Sequence, residues 1–540
     1  MSIKLSENVC RPDGYNSLEK LISWARLGWT SVVEFLFIGI CIVAASSGIA
    51  GLNNILYIPF MNSLGESYDE YTTETARFNT ELAPVLAIPL LVLSGLAVRK
   101  WGRFSSLIGC IVLSMPLLLL IWKTPSRAAV IAGWTVSAFW LFPSVMAMAL
   151  ISCYETCPIK FRVPAIIGMT LLETLGTLVI ALGNIVSLNS VSVDKTDEDD
   201  AYAQALSSAK DEARFNYYLI SIMVTLGAAL GAGLLVFVSS RGRFNSSDTC
   251  MSLVCRGKVE QAFENLLERG SSNETAEPLP MSREEFIHNA NNEKDAAPDF
   301  VKTLFRAKLL PLGVVFLASL AYMISDISIL THYYYPFEDF LGGGPQENLV
   351  PGMLVRHLAA SVGLLVSLGV WLWMKDIRFM PSVGAFLAAI GALICSTVKV
   401  FDEAGSPVSV VESPSTIVAG VVFISLGISV LSATARILLM DIFSNKARGQ
   451  GLFLFKCLDS LSYSICCVFC YYWKSKPWFF VGNAALIALI GAAILAAFYM
   501  TSWFDHSLMC RDPETDACWL VAPGDRPHLS LKRSSLYSRN

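Results

Sequence analysis

Charge is scarce in this sequence. Only 16% of its 540 residues are Asp, Glu, Lys or Arg, against about a quarter in a typical soluble domain. Neither sign dominates, since 40 Lys and Arg face 44 Asp and Glu for a formal net charge of −4. A nucleic-acid binder would carry a basic excess or a basic stripe, and the chain has neither. Enzyme signatures are missing as well. There is no Walker loop, no His-Glu-x-x-His and no G-x-S-x-G in a strand–turn–helix context, so neither catalysis nor a cofactor is expected. Cysteine is present, with 14 residues, but none falls in the loops expected on the outer side, so no disulfide framework is expected. Cys457, Cys466, Cys467 and Cys470 read as polarizable packing residues. The single C-x-x-C at 467–470 has no second ligand pair, which argues against a metal.

Apolar residues are abundant, at 54% of the chain, and the mean hydropathy is +0.54. These values exclude a disordered chain and a secreted disulfide mini-protein. Twelve runs approach the length of about 20 residues that a helix needs to cross a bilayer. They cover roughly 32–58, 83–98, 105–122, 128–152, 164–188, 215–239, 309–330, 353–373, 381–400, 415–440, 450–472 and 478–502, numbered here as spans 1 to 12. Helices follow because lipid offers no partner for backbone polar groups. The expected fold is therefore an all-α polytopic membrane protein of twelve spans.

Lys and Arg in the connections set the orientation. With the N-terminus in the cytoplasm, the inner loops hold Arg99, Lys100, Arg103, Lys160, Arg162, Lys375, Arg378, Lys446 and Arg448, and the 240–308 connector holds ten more. Outer loops 61–82 and 189–213 are mostly acidic. Segment 1–31 has no apolar run and is not expected to be a cleaved signal. The expected organisation is a cytoplasmic segment 1–31, a six-helix bundle 32–239, the connector 240–308, a second six-helix bundle 309–502 and a cytoplasmic tail 503–540. The sequons at Asn245 and Asn273 would then lie on the inner side. Within the connector, 255–270 reads as an amphipathic helix and 271–300 as polar and mobile. Lys532 to Ser535 in the tail reads as solvated.

The two halves echo each other. After span 4 comes Glu155, then Pro158 and Arg162; after span 10 comes Asp441, then Arg448 seven residues on, and the second acid lies 286 residues after the first. After span 2 come Gly95, Arg99, Lys100, Gly102 and Arg103; after span 8 come Gly369, Lys375, Asp376 and Arg378, 274 to 275 residues later. Such duplication marks secondary transporters, whose two bundles rock about a site at the midplane. Acid and Arg in short inner loops can pair across the bundle interface and act as a cytoplasmic gate. Topology alone would ask for the Arg and not for the acid.

These residues resemble a family. Gly95, Lys100, Gly102 and Arg103 are similar to the hallmark loop of the major facilitator superfamily. Glu155, Pro158 and Arg162 resemble its sugar-porter branch, and within that branch the organic cation/anion transporters (solute carrier family 22-like) resemble the chain most. The supporting residues are Thr174, Leu175 and Gly176, the run Ser247, Asp248, Thr249 through Arg256, Gly257, Lys258, Glu260 and Ala262, Thr303 to Arg306, Ser319 to Tyr322, Leu341 to Gly343, and Pro513 to Thr515. Arg99 stands where the hallmark loop has an acid, Phe104 where it has a base, and Trp134 where sugar-porter relatives carry an Arg. The resemblance implies two pseudo-symmetric bundles, alternating access, a small-molecule substrate, possible coupling to a proton or counter-ion, contact with membrane lipid, and a place in the plasma membrane.

Ionisable side chains at bilayer depth cost about 2.5–3.5 kcal/mol or more, so each is a functional candidate. Glu173 lies in span 5, Asp326 in span 7, Arg356 and His357 at the start of span 8, and Lys456 and Asp459 in span 11. That these spans line the cavity is implied by the resemblance. Lys456 and Asp459 share a helix face and read either as a self-neutralised pair or as substrate contacts. Glu173 and Asp326 read as substrate or proton carboxylates, or as packing acids. Arg356 reads as a cavity base or as a side chain reaching to the outer interface. Tyr322 is a candidate aromatic face for a cation. Glu34 and Arg436 read as interfacial, with Arg436 pairing to headgroups or to Asp441. Tyr333, Tyr334 and Tyr335 read as an aromatic belt. The expected function is transport of a small organic solute, organic ions first. A sugar or other neutral solute is one alternative, and a transporter-like receptor or scaffold is another.

Overall fold

The computed structural model describes residues 29–56, 82–123, 127–158, 161–189, 199–239, 248–271, 282–296, 300, 309–332, 349–374, 376–396, 414–473, 478–501, 504 and 509. The sequons at Asn245 and Asn273, the stretches Thr303 to Arg306, Tyr333 to Tyr335 and Leu341 to Gly343, the Pro513 motif and the Lys532 motif lie outside the described residues, as does most of the N-terminal segment. Regular structure among the described residues is helical. Each of the twelve apolar runs holds a helix: Trp29–Leu56, Ala83–Trp101, Arg103–Lys123, Arg127 to Thr156, Arg162–Asn189, Asp199–Ser239, Leu309–His332, Leu349–Met374, Met380–Ser396, Pro414–Ile442, Arg448–Trp473 and Trp478–Met500. Among the described residues, ten helices are long and apolar enough to cross a membrane, and apolar helical stretches also occur at Leu310–Asp326 and Met380–Ser396.

The packing repeats under a shift of six spans. Span 1 packs on 4, 5 and 6, and span 7 on 10, 11 and 12; span 3 packs on 4 and 6, and span 9 on 10 and 12. Between the halves, span 2 packs on 11 and span 5 on 8, which the same shift exchanges. The result is two matched six-helix bundles meeting along two seams.

Two elements depart from expectation. The 189–213 stretch was expected as a loop, yet span 6 begins at Asp199, four turns before the apolar run. Its residues, such as Ala201, Ala203, Gln204, Lys210 and Glu212, are mostly good helix formers. The connector stretch 271–300 was expected to be mobile, yet it holds a helix at Arg283–Ala296. Ser282 caps it by accepting the Glu285 N–H at 3.2 Å. Phe286 seats the helix against Phe263, ring centroids 5.2 Å apart, in a small core with Val254, Ala262 and Leu266. The amphipathic helix expected at 255–270 is Val259–Ser271, preceded by a short helix, Cys250–Cys255.

Small residues bring spans 9 and 10 into backbone contact. A Cβ on Gly427 would lie 2.4 Å from the Gly384 carbonyl oxygen, and one on Gly391 2.7 Å from that of Gly420. In lipid, where apolar burial drives little, such close approach supplies the packing energy. Gly427→Ala must push the spans apart. It is expected to cost about 1–3 kcal/mol, read as a lower melting temperature in detergent; an unchanged melt would remove this contact from the account.

Span 4 contains a π turn at Ser137–Leu141. Pro143 explains it, because its missing N–H leaves the Phe139 carbonyl without the usual donor. The turn falls where Phe139 meets Trp134, with centroids 4.8 Å apart and edge to face, and Tyr463 of the other bundle at 6.2 Å. Trp140 Nε1 donates to Ser94 Oγ at 2.8 Å.

Candidate functional site

The candidate residues gather in two places. The first is the end of the bundle nearest the connector. Gly102 ends span 2 with φ +95°, a conformation that favours glycine. The turn delivers Arg103 into span 3, whose first N–H is capped by Asp248 Oδ1 of the connector at 3.0 Å. Asp248 also accepts from Arg256 at 2.9 Å, so the connector is fastened to the turn between spans 2 and 3. A Cβ on Gly102 would lie 2.0 Å from Asp248 Oδ2. Gly102→Ala is expected to cost about 1–3 kcal/mol through strain and lost capping, measurable by thermal unfolding, with Asp248→Ala giving a similar loss.

Glu155 is the hub of this cluster and is fully buried. It accepts from Arg103 Nη2 at 2.9 Å and from Thr249 Oγ1 at 2.5 Å. Arg448 of the second bundle stands 3.8 Å from the same carboxylate. Next to it the Tyr154 ring is held between two guanidinium groups, Arg162 at 4.4 Å and Arg448 at 4.3 Å. Each of these Arg residues also donates its Nε to a carbonyl at the end of the preceding span, Cys157 at 3.3 Å and Met440 at 3.0 Å. The repeated acid-to-Arg spacing thus builds two equivalent loops that meet around Tyr154. Asp441 is buried beside them. Gly95 lies against Phe453 of span 11, where a Cβ would be 3.1 Å away. Lys100 is exposed and stands apart from the cluster.

The second place is the interior between the bundles. Glu173 is bound by both terminal nitrogens of Arg436, one at 3.0 Å. This corrects the interfacial reading of Arg436, which reaches across from span 10 to span 5; the low-dielectric interior rewards a bidentate partner. The Arg356 guanidinium binds Asp326 of span 7. Lys456 Nζ donates to Asp459 at 3.2 Å, and Ser319 Oγ donates to the other oxygen at 2.5 Å. Tyr322 sits within the field of Glu173, Asp326, Arg356 and Arg436, and Arg436 within that of Asp459. Three acids and three bases from both bundles therefore form one interior set, and each acid has a cation. Buried charges persist in this way because unpaired ones are too costly.

Several contributors were not singled out from the sequence as site residues. Tyr154 and Thr249 gave no signal of their own. Arg436 did, as an ionisable residue within a span. Burial pushes the Cys157 thiol up to about 12, which leaves it a poor nucleophile. No group of three metal ligands occurs among the described residues.

Comparison with solved structures places this architecture. The proton:xylose symporter XylE bound to 6-bromo-6-deoxy-D-glucose matches with a TM-score of 0.58 and 15% identity, over 90% of this chain and 96% of that one. The chain has the major facilitator fold. A partially occluded inward-open XylE from E. coli aligns at a TM-score of 0.56 and 13% identity over 89% of this chain and 98% of that one. The E. coli fucose:proton symporter FucP aligns at 0.53 and 12% over 85% and 98%. No protein-family model and no curated protein matches the sequence.

Proposed function

We propose that this chain is a transporter that moves a small polar organic solute, an organic ion in the first instance, by alternating access, with the connector and both termini in the cytoplasm and the bundle in the plasma membrane. The observation that carries this reading is the interior set of six paired charges contributed by both bundles. A solute that engages Glu173, Asp326, Arg356, Lys456 or Asp459 must displace a cation or an anion from its partner. Binding at Glu173 is thereby tied to the Glu173–Arg436 contact between the bundles, the kind of coupling alternating access requires. The Glu155, Arg103, Arg448 and Tyr154 cluster serves as the cytoplasmic gate. XylE and FucP are proton symporters by name, and a coupled proton or counter-ion belongs to the same proposal.

A neutral solute is the second reading, favoured by the pairing itself, since an uncharged polyol can enter without breaking any pair. Uptake into proteoliposomes of organic cations, anions and sugars, with and without a pH gradient, separates the two. Under the first reading Asp459→Asn lowers uptake of a charged solute at least about tenfold, the effect of roughly 1.4 kcal/mol. Under the second, sugar uptake survives it. Binding without any uptake would leave a receptor.

A further inference from the structure

His357 of span 8 faces Thr177 of span 5 across the second seam, on the side away from the connector. Its Nδ1 lies 3.0 Å from Thr177 Oγ1. That hydroxyl already donates to the Thr174 carbonyl at 2.7 Å, and a hydroxyl has one proton to give. With that proton kept on the Thr174 carbonyl, Oγ1 accepts from His357 and Nδ1 carries the hydrogen. In a neutral imidazole the lone pair is then on Nε2. The charged and titratable groups around it are Arg356 on its own span, Asp326 and Tyr322 on span 7, Glu173 one turn from Thr177 on span 5, and Arg436 on span 10. Arg356 and Arg436 are bound to Asp326 and Glu173, and among the described contacts His357 is the titratable side chain of span 8 with a direct bond to span 5.

We propose that His357 is a proton-binding site that latches the span 5–span 8 seam when neutral and favours its opening when protonated. The inference rests on the alternating-access reading. While the seam is closed, the ring is held between the helices and its N–H is committed to Thr177. When the seam parts, that bond breaks and water reaches the ring. Nε2 then takes a proton from the aqueous phase, forming an imidazolium that must give it back before the neutral latch can re-form. With the ordinary His value of about 6.5 in the parted state, a change from about pH 7.5 to about pH 5.5 favours that state about tenfold.

Two measurements on the full chain in nanodiscs test this. In ¹⁵N-histidine NMR, the His357 signals, assigned by their loss in His357→Gln, are expected to report a hydrogen on Nδ1 at neutral pH, and Thr177→Val is expected to abolish that preference. In amide hydrogen exchange corrected for intrinsic rates, the facing halves of spans 5 and 8 are expected to lose about tenfold protection across that pH range. His357→Gln, which can donate to Thr177 but cannot take a proton, is expected to remove the pH response, and His357→Asn serves if the Gln variant does not fold. A hydrogen on Nε2, or an equal pH response in wild type and variant, overturns the proposal. Neither readout needs a substrate, so absence of uptake would defeat the transport reading while these results still decide the latch.

Discussion

Arg436→Ala is expected to abolish uptake and to lower the unfolding free energy by about 3 kcal/mol, the lower end of the range for breaking a buried ion pair. The reason lies in what remains. Glu173 loses both donors of its bidentate contact. Thr170 Oγ1, 3.4 Å from Arg436, donates to the Ile166 carbonyl at 2.9 Å and not to the acid. The carboxylate is left in the interior with no partner from span 10, and the field around Tyr322 and Asp459 changes sign on that side. The double variant Glu173→Gln with Arg436→Ala should recover most of the stability, since no lone charge remains, yet should not recover transport. Thermal unfolding in detergent and proteoliposome uptake read the two effects separately. If the single and double variants melt alike, the pair contributes nothing and the coupling assigned to it fails.

The fold was legible because its signal is one-dimensional. Each span announces itself by an apolar run, and the acid-to-Arg spacing in Glu155/Arg162 and Asp441/Arg448 announces the duplication. Boundaries were less legible where polar residues are themselves good helix formers, as at Asp199 to Arg214. The Arg283–Ala296 helix had a readable signal, Ser282 followed by Glu285, but polarity masked it. Site residues were readable one at a time, from the cost of placing charge in lipid. Their pairing was not. Lys456 and Asp459 could be paired from sequence because they are three apart on one helix. Arg436 and Glu173 are 263 residues apart, and only the packing of span 10 on span 5 brings them together. Asp248 shows the same limit, since a connector acid 145 residues from Arg103 caps its helix.

The other large effect belongs to Glu155. Its carboxylate gathers Arg103, Arg448 and Thr249 while remaining fully buried. Glu155→Ala removes the carboxylate that stands between the Arg103 and Arg448 guanidinium groups, and the repulsion it screened falls on the contact between the bundles. A stability loss of about 3–5 kcal/mol is expected. The larger consequence is conformational. Arg448 is the part of the cluster that belongs to the second bundle, and Glu155 and Tyr154 are what hold it to the first. Removing the acid weakens the closed connector side but touches nothing at the opposite end, so the balance moves toward opening on the connector side, by about tenfold for each 1.4 kcal/mol lost from closure. Hydrogen exchange at the Tyr154 end of span 4 and the Arg448 end of span 11 should quicken, while spans 5 and 8 near Thr177 and His357 should become better protected. Glu155→Gln keeps an acceptor for Thr249 and Arg103 but loses the charge, and should fall between wild type and Glu155→Ala in both measurements. Equal quickening at both ends would mean general loosening of the bundle and would remove the gate from this cluster.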